Sequence, residues 1–219
     1  MPYMDTVNCL EARVPMHRDR AGHGFKVVDL EELQWLPRHV RGDSDAFPEL
    51  MDAYRAPVWN YLARCGVSLQ LREDLFQDIF LKIHQSAPSY TATRPLRPWV
   101  FTIAANTLRN HVRERKRYRQ FFAPEELPEP ADPNPGIGES EAIAQTKIWL
   151  DKAIMELPFS QREVLTLVTL ESLPLKEVAA ILKVSQNTVK TRLRRARLKL
   201  ADMLTEYEAT GQRQGGSDE

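Results

Sequence analysis

Residues 175–200 read LKEVAAILKVSQNTVKTRLRRARLKL, a pattern that predicts two helices separated by a tight turn. Apolar residues recur at helical spacing in both halves, namely Leu175, Val178, Ala179 and Leu182, then Val189, Leu193, Ala196 and Leu200. Lys183 and Val184 fall between the two helices. Ser185 suits the N-cap of the second helix because its hydroxyl can accept a hydrogen bond from the next turn. The stretch therefore predicts a helix-turn-helix.

The second helix of this motif is strongly basic. Residues 183–199 contain seven Lys or Arg and no Asp or Glu. In a helix-turn-helix the second helix enters the major groove of DNA, where basic side chains meet phosphates and base edges. A surface helix with a solvated basic face is the alternative, which a run of charge alone would favour. The turn, the polar cap and the lack of acids together favour DNA contact.

Charge is segregated along the chain, although its 219 residues carry 30 basic and 30 acidic side chains. Residues 94–119 hold eight Lys or Arg and one acid, whereas residues 121–141 hold six acids and no Lys or Arg. Five prolines between Pro124 and Pro135 are incompatible with a helix there. A charged, Pro-rich segment stays extended and mobile. We therefore predict two basic, nucleic-acid-binding units joined by an acidic linker.

Both units are predicted to be helical. In the first, i, i+4 spacing marks a helix through Leu71, Leu75, Ile79 and Ile83. Pro57 is expected to open a separate helix, and a long helix should follow Pro95 and run to about Arg119. In the second, a helix covers residues 141–157, and the next is expected to begin with a capping box of Ser160 and Glu163.

The first basic block mixes amides and aromatic rings with its arginines. Tyr90, Asn106 and Asn110 are suited to stack unpaired bases and to bond their edges. Trp99 lies among them, but its spacing with Ile103 favours a place in the core. The block therefore predicts contact with single-stranded nucleic acid.

Several functional classes are disfavoured by the sequence. No apolar run approaches 18 residues, so we expect no membrane insertion. The sequence contains no Gly-rich phosphate loop and no plausible nucleophile–base pair, so it does not predict an enzyme. No cofactor is implied either. The five histidines show no metal-ligand spacing, so no metal site is predicted. Cys9 and a buried Cys65 are expected to be free thiols, which suits a cytoplasmic protein.

Three stretches together resemble bacterial RNA polymerase sigma factors of the small extracytoplasmic-function (ECF) class. They are REDLFQDIFLKIH at 72–84, RPWVFTIAANTLRNHVRERKR at 97–117, and LPFSQREVLTLVTLESLPLKEVAAILKVSQNTVKTRLRRARLKL at 157–200. Their order, with a linker between the second and third, is specific to this class. The resemblance implies an all-α fold of two small helical domains joined by a flexible acidic Pro-rich linker.

The resemblance also implies boundaries along the chain. Residues 1–28 form an N-terminal extension of unknown role, and residues 29–120 form a domain that binds polymerase and the −10 element. Residues 121–140 are the linker, residues 141–205 form a helix-turn-helix domain that binds the −35 element, and residues 206–219 are a disordered tail.

Site residues follow from matching the family motifs to this sequence. Three positions are implied to bind the clamp helices of the largest polymerase subunit: Asp74, Gln77 and Asp78. Five are implied to bind the −10 element: Tyr90, Asn106, Asn110, Arg113 and Arg117. Seven are implied to bind the −35 element: Ser185, Gln186, Asn187, Lys190, Thr191, Arg194 and Arg195.

The implied function is that of an ECF-type sigma factor. Such a protein binds core RNA polymerase, recognises promoter DNA as duplex and as melted strand, and directs transcription initiation. An anti-sigma protein is an expected further partner. Two alternatives remain: a sigma-like helix-turn-helix regulator, or a decoy that binds an anti-sigma protein, neither acting through polymerase. The helix of Asp74 and Gln77 argues against the first, because a regulator that does not bind polymerase has no need of it. The basic recognition helix argues against the second, because a decoy has no need of charge that reads the DNA groove.

Overall fold

The computed structural model describes residues 31–121 and 141–214, and both stretches are built from helices. In the first, a 3₁₀ turn at Glu32–Gln34 precedes α1 (Trp35–Val40), α2 (Ala46–Arg64), α3 (Leu69–Ser86), a second 3₁₀ turn at Ala87–Ser89, and α4 (Leu96–Phe121). The second contains α5 (Glu141–Met155), α6 (Phe159–Leu165) with a π-helical continuation (Thr166–Leu170), α7 (Leu175–Leu182) and α8 (Gln186–Gln214). The extension 1–28 and the linker from residue 122 lie outside the described residues.

The core of the first domain forms where α3 packs between α2 and α4. Leu75, Ile79 and Ile83 are buried as their spacing predicts. Phe101 of α4 is fully buried and meets Tyr61 of α2 edge to face, with ring centroids 5.6 Å apart. These contacts fix the orientation of α4, which carries the first basic block.

The helix-turn-helix is confirmed by its local geometry. Lys183 ends α7 in the left-handed conformation with φ 54°, and the Oγ of Ser185 accepts a hydrogen bond from the backbone N–H of Thr188 at 3.1 Å. This N-cap satisfies one of the free donors in the first turn of α8. Val189, Leu193 and Ala196 are buried against the rest of the domain. The opposite side of α8 is therefore available for binding.

Two sequence predictions about helix starts were wrong. Pro57 lies inside α2 and does not open a helix; the buried residues Tyr54 and Val58 on either side hold one continuous apolar face against the core. The capping box of Ser160 and Glu163 does not form, because α6 starts at Phe159 without a side-chain cap and Glu163 is drawn into the interior.

The last helix extends beyond the boundary expected at residue 205. Residues 206–214, which the sequence placed in a disordered tail, continue α8. Tyr207 lies against Trp149 of α5, with ring centroids 5.1 Å apart, and this contact supports the added turns. None of the helices in the described stretches is both long and apolar enough to cross a bilayer.

The two groups of helices are in direct contact. Helix α4 packs along α7, and α2 packs against α5 and the π-helical turn. Buried apolar residues from both groups join in one cluster. The two domains are therefore packed against each other in this structure.

Candidate nucleic-acid and polymerase interfaces

The exposed face of α8 contains the residues predicted to read the −35 element. Ser185 precedes the helix, and its outward residues are Gln186, Asn187, Lys190, Thr191, Arg194 and Arg195, all exposed. The backbone N–H groups of the first turn that Ser185 does not cap, together with the positive end of the helix dipole, favour a bound phosphate at the start of α8. The face combines amides, a hydroxyl and cations, which are the groups that bond base edges in the major groove.

Tyr90 occupies a more structural position than its sequence context suggested. Its hydroxyl donates to the carbonyl oxygen of Arg94 at 2.7 Å, and its ring meets Trp99 edge to face at 5.3 Å. Burial raises the pKa of Tyr90 to about 12, so the phenol stays protonated and keeps donating. The side chain is half-buried, so part of its surface remains open to solvent.

Asn106, Asn110 and Arg113 follow one another along α4 at helical spacing. Asn106 is half-buried with its Oδ1 3.5 Å from the Nη2 of Arg109. Asn110 and Arg113 are exposed. The side chain of Arg117 lies outside the described residues. The exposed part of this face thus presents an amide and a guanidinium within one turn of each other.

The predicted polymerase-binding stripe lies on α3. Asp74 and Gln77 are exposed, and Asp78 is half-buried with its Oδ2 2.7 Å from the Nζ of Lys82. Beside Gln77, a groove of about 690 Å³ runs between α2 and α3. Its lining includes Trp59, Asn60 and Phe76. The sequence indicated the polar stripe, but it did not show that Trp59 of α2 would come to lie next to it.

A buried charge cluster is the main feature that the sequence did not reveal. Glu163 of α6 is 2% exposed, and its Oε1 accepts from the hydroxyl of Tyr61 at 3.2 Å. The same oxygen lies 3.3 Å from the Nε of Arg109. Burial raises the pKa of Glu163 to about 6, and the nearby Arg109 and the bond from Tyr61 oppose that rise.

The raised pKa of Glu163 predicts a pH-dependent contribution to the free energy of unfolding. The folded state holds the proton more tightly than the unfolded state, whose pKa is the ordinary 4.5. The stabilising contribution is fully present below pH 4.5 and is lost as the pH rises through about 6. A pKa difference of this size corresponds to about 2 kcal/mol. Urea unfolding at a series of pH values should therefore show this decline in the wild type.

The matched variants for this measurement are Glu163→Gln and Glu156→Gln. The first keeps a neutral side chain at the buried position and should lack the decline, whereas the second alters an exposed carboxylate and should retain it. An identical pH profile for Glu163→Gln and the wild type would contradict the assignment.

Two histidines far apart in sequence also meet in the fold. The Nε2 of His39 lies 2.9 Å from the Nδ1 of His84, and both rings contact Phe47. Burial, together with the nearby His84, lowers the pKa of His39. Across the described residues, no group of three or more His, Cys, Asp or Glu is arranged to hold a metal ion.

The fold and its exposed faces define a two-domain, all-helical DNA-binding protein. The protein-family model described as "Sigma-70 region 2" matches residues 50–118, and the model described as "Sigma-70, region 4" matches residues 147–200. Together these matches cover more than half of the chain, one on each domain. The chain belongs to the sigma-70 family of RNA polymerase sigma factors, in its ECF class.

Individual relatives agree with this placement. The chain is 26% identical over 182 residues to the ECF RNA polymerase sigma factor SigW of Bacillus subtilis, covering 75% of this chain and 91% of SigW. It is 29% identical over 173 residues to the RNA polymerase sigma factor CarQ of Myxococcus xanthus, covering 79% of this chain and 97% of CarQ.

Solved structures share the fold. The sigma factor RpoE in complex with the anti-sigma factor NepR, from Bartonella quintana, has a TM-score of 0.64 at 24% identity, covering 73% of this chain and 96% of RpoE. CnrH in complex with the cytosolic domain of CnrY has a TM-score of 0.59 at 21% identity, covering 80% of this chain and 98% of CnrH.

Proposed function

We propose that this protein is an ECF-type sigma factor that binds core RNA polymerase, recognises the −35 and −10 promoter elements, promotes strand opening and directs transcription initiation. The observation that carries the proposal is the presence of both sigma regions in order, each on a helical domain with an exposed polar face. The domains are taken as residues 29–120 and 141–205.

Polymerase binding is assigned to α3. Asp74 and Gln77 offer exposed polar groups to the clamp helices of the largest subunit, and Asp78 is held by Lys82 at the edge of the same stripe. The groove beside Gln77 adds apolar and aromatic surface. A polar rim beside an aromatic-lined groove is a usual arrangement for a protein–protein contact.

The −10 element is assigned to the outer face of α4 and the loop before it. Extruding a base from the duplex costs a few kcal/mol. Hydrogen bonds from Asn106 and Asn110, stacking on Tyr90, and phosphate contacts from Arg113 and Arg117 would offset part of that cost. Polymerase supplies the remainder.

The −35 element is assigned to α8. An arginine can form two hydrogen bonds to one guanine, and Arg194 and Arg195 are exposed where such a pairing is possible. Lys190, Thr191 and Asn187 flank them on the same face, and Ser185 and Gln186 lie at the helix start, where a phosphate would be positioned.

Other aspects of the function follow from this assignment. The protein itself makes no phosphodiester bond and needs no cofactor, because the polymerase carries the chemistry. It would act in the cytoplasm with core polymerase, and we propose an anti-sigma protein as a further partner. A regulator that acts without polymerase is not favoured, since it has no need of the region that matches residues 50–118.

Transcription from a promoter library tests this function. Purified protein with core polymerase should yield discrete start sites that core polymerase alone does not produce. Core polymerase with a helix-turn-helix protein of another class is the control. Absence of any specific transcript across a library that spans the genome would count against the proposal.

A further inference from the structure

His39 and His84 form a pair at the surface of the first domain. His39 lies in the last turn of α1 and His84 in the last turn of α3, 45 residues apart in the chain, so sequence spacing does not reveal the pair. The Nε2 of His39 is 2.9 Å from the Nδ1 of His84, which is hydrogen-bonding distance. A neutral imidazole carries one N–H and one lone pair. Two ring nitrogens from different helices therefore face a common position between them.

Phe47, at the start of α2, packs against both rings of this pair. Its ring centroid lies 4.9 Å from that of His39 and 5.4 Å from that of His84, and the second contact is edge to face. The hydrogen bond adds little stability, because water competes with it at a surface position. Aromatic packing from a third helix is the stronger constraint on the two rings. The nitrogens are thus preorganised, which lowers the entropic cost of binding a ligand between them.

The separation of the two nitrogens suits a metal ion with tetrahedral geometry. A Zn–N bond is about 2.0–2.1 Å long, so two nitrogens at the tetrahedral angle around Zn²⁺ are about 3.3–3.4 Å apart. The observed separation is 2.9 Å, and a small rotation of either ring lengthens it to that value. The ring that donates the hydrogen bond would carry its hydrogen on its other nitrogen when the ion binds. A neutral pair therefore accepts the ion without releasing a proton.

The surroundings leave the pair available for a cation. Burial, together with the nearby His84, lowers the pKa of His39, so its ring is uncharged at neutral pH, as metal binding requires. His84 is exposed, which gives an ion and its water ligands access from solvent. Two acids in this region, Asp43 and Glu49, are each bonded to Arg38 at 2.8 Å. Water would therefore occupy the coordination positions that the histidines leave open.

We propose that His39 and His84 bind a divalent transition-metal ion of the kind that imidazole favours, namely Zn²⁺, Cu²⁺ or Ni²⁺. Mg²⁺ and Ca²⁺ do not suit the site, because they prefer oxygen ligands. The ion joins the end of α1 to the end of α3 and stabilises the folded domain there, since the unfolded chain does not hold the two rings together. None of the residues assigned to polymerase or DNA belongs to the site. The proposed function does not depend on the ion.

Titration of the full chain with Zn²⁺ tests the site. The protein carries Cys9→Ser, so that this thiol does not compete for the ion. Calorimetry should show saturable binding of Zn²⁺ and no binding of Mg²⁺. His39→Gln and His84→Gln should each weaken Zn²⁺ binding at least about tenfold, because a two-point attachment becomes a single contact.

Nuclear magnetic resonance of isotope-labelled histidine rings identifies the atoms that bind. Zn²⁺ should shift the Nε2 of His39 and the Nδ1 of His84 at the same concentrations. His111→Gln is the matched control, because His111 lies on α4 and its Nε2 is buried; this variant should keep the wild-type Zn²⁺ affinity. Circular dichroism reports whether each variant is folded, and His84→Gln is expected to fold because its side chain is exposed.

Two results would overturn the metal site. Wild-type Zn²⁺ affinity in either His39→Gln or His84→Gln would mean that the ion binds elsewhere, for example at His17 and His23. Absence of saturable Zn²⁺ binding in the wild type would leave the pair as a hydrogen bond only. Neither result bears on the proposed function, which is measured by specific transcripts.

Discussion

Replacing Arg195 by alanine is expected to reduce promoter binding by about 5- to 150-fold, because one lost base contact costs about 1–3 kcal/mol. Arg195 is exposed on α8 and no interdomain contact depends on it, so the fold should be preserved. Discrimination should relax at one position of the −35 element and remain at the others. Binding of polymerase holoenzyme to promoters that vary one base pair at a time measures both effects.

An Asn110→Ala variant is expected to fail at a different step. Asn110 is exposed on α4, on the face assigned to unpaired bases. Upstream binding should stay close to wild type while strand opening falls. A template that is already melted around the −10 element should therefore partly rescue Asn110→Ala and should not rescue Arg195→Ala.

Permanganate footprinting on intact and pre-melted templates measures this difference. Tyr90→Phe is a useful companion, since it removes the hydroxyl that bonds the Arg94 carbonyl and keeps the ring against Trp99. Equal rescue of Asn110→Ala and Arg195→Ala, or rescue of neither, would show that duplex recognition and strand opening are not assigned to the correct domains.

A double variant, Asp74→Ala with Gln77→Ala, is expected to lose polymerase binding by at least about 100-fold. The few residues that carry most of the binding energy of an interface each cost about 2 kcal/mol or more when they are truncated. We expect Asp74 and Gln77 to be two of them, and both side chains are exposed. The loss should appear in titrations of labelled core polymerase. It should be equal with and without promoter DNA, because the stripe lies on α3 and not on the DNA-reading faces.

Gln85→Ala is the matched control, an exposed glutamine at the other end of α3. It should bind polymerase like the wild type. Wild-type affinity in the double variant would mean that polymerase docks elsewhere, with the groove around Trp59 the first place to look.

Local chemistry explains why the second domain was predictable from sequence. The turn at Lys183, the cap at Ser185 and the buried face of Val189 and Leu193 depend on residues that are close together in the chain. The buried side of α3 was predictable in the same way, because its apolar residues recur at helical spacing. Such features require only that local spacing matches the helical period.

Contacts between distant residues explain what the sequence did not show. Glu163 fits the pattern of a capping box, yet it pairs with Arg109 and Tyr61, which are 54 and 102 residues away in the chain. Arg109 fits the pattern of a phosphate-binding cation, but the structure uses it to cap α7. Local pattern cannot distinguish these roles, because the partner of a charged side chain is decided by tertiary packing.

Helix continuity shows a similar limit. Proline is a common first residue of a helix, so Pro57 suggested a helix start. Only the packing of Tyr54 and Val58 on the same side of α2 shows that the helix continues through Pro57. Likewise, the contact of Tyr207 with Trp149 supports α8 beyond the point where its apolar period weakens.

The measurement that tests the central claim most directly is tethered DNA cleavage in the polymerase–promoter complex. A cleaving group attached through a cysteine at Arg197 on α8, or at Glu114 on α4, marks the DNA next to each face, because both positions are exposed and neither is assigned a contact with DNA. The two cleavage positions are expected about 25 base pairs apart on one promoter, the first at the −35 element and the second at the −10 element. Cleavage by both groups at a single element, or cleavage that does not depend on core polymerase, would contradict the account.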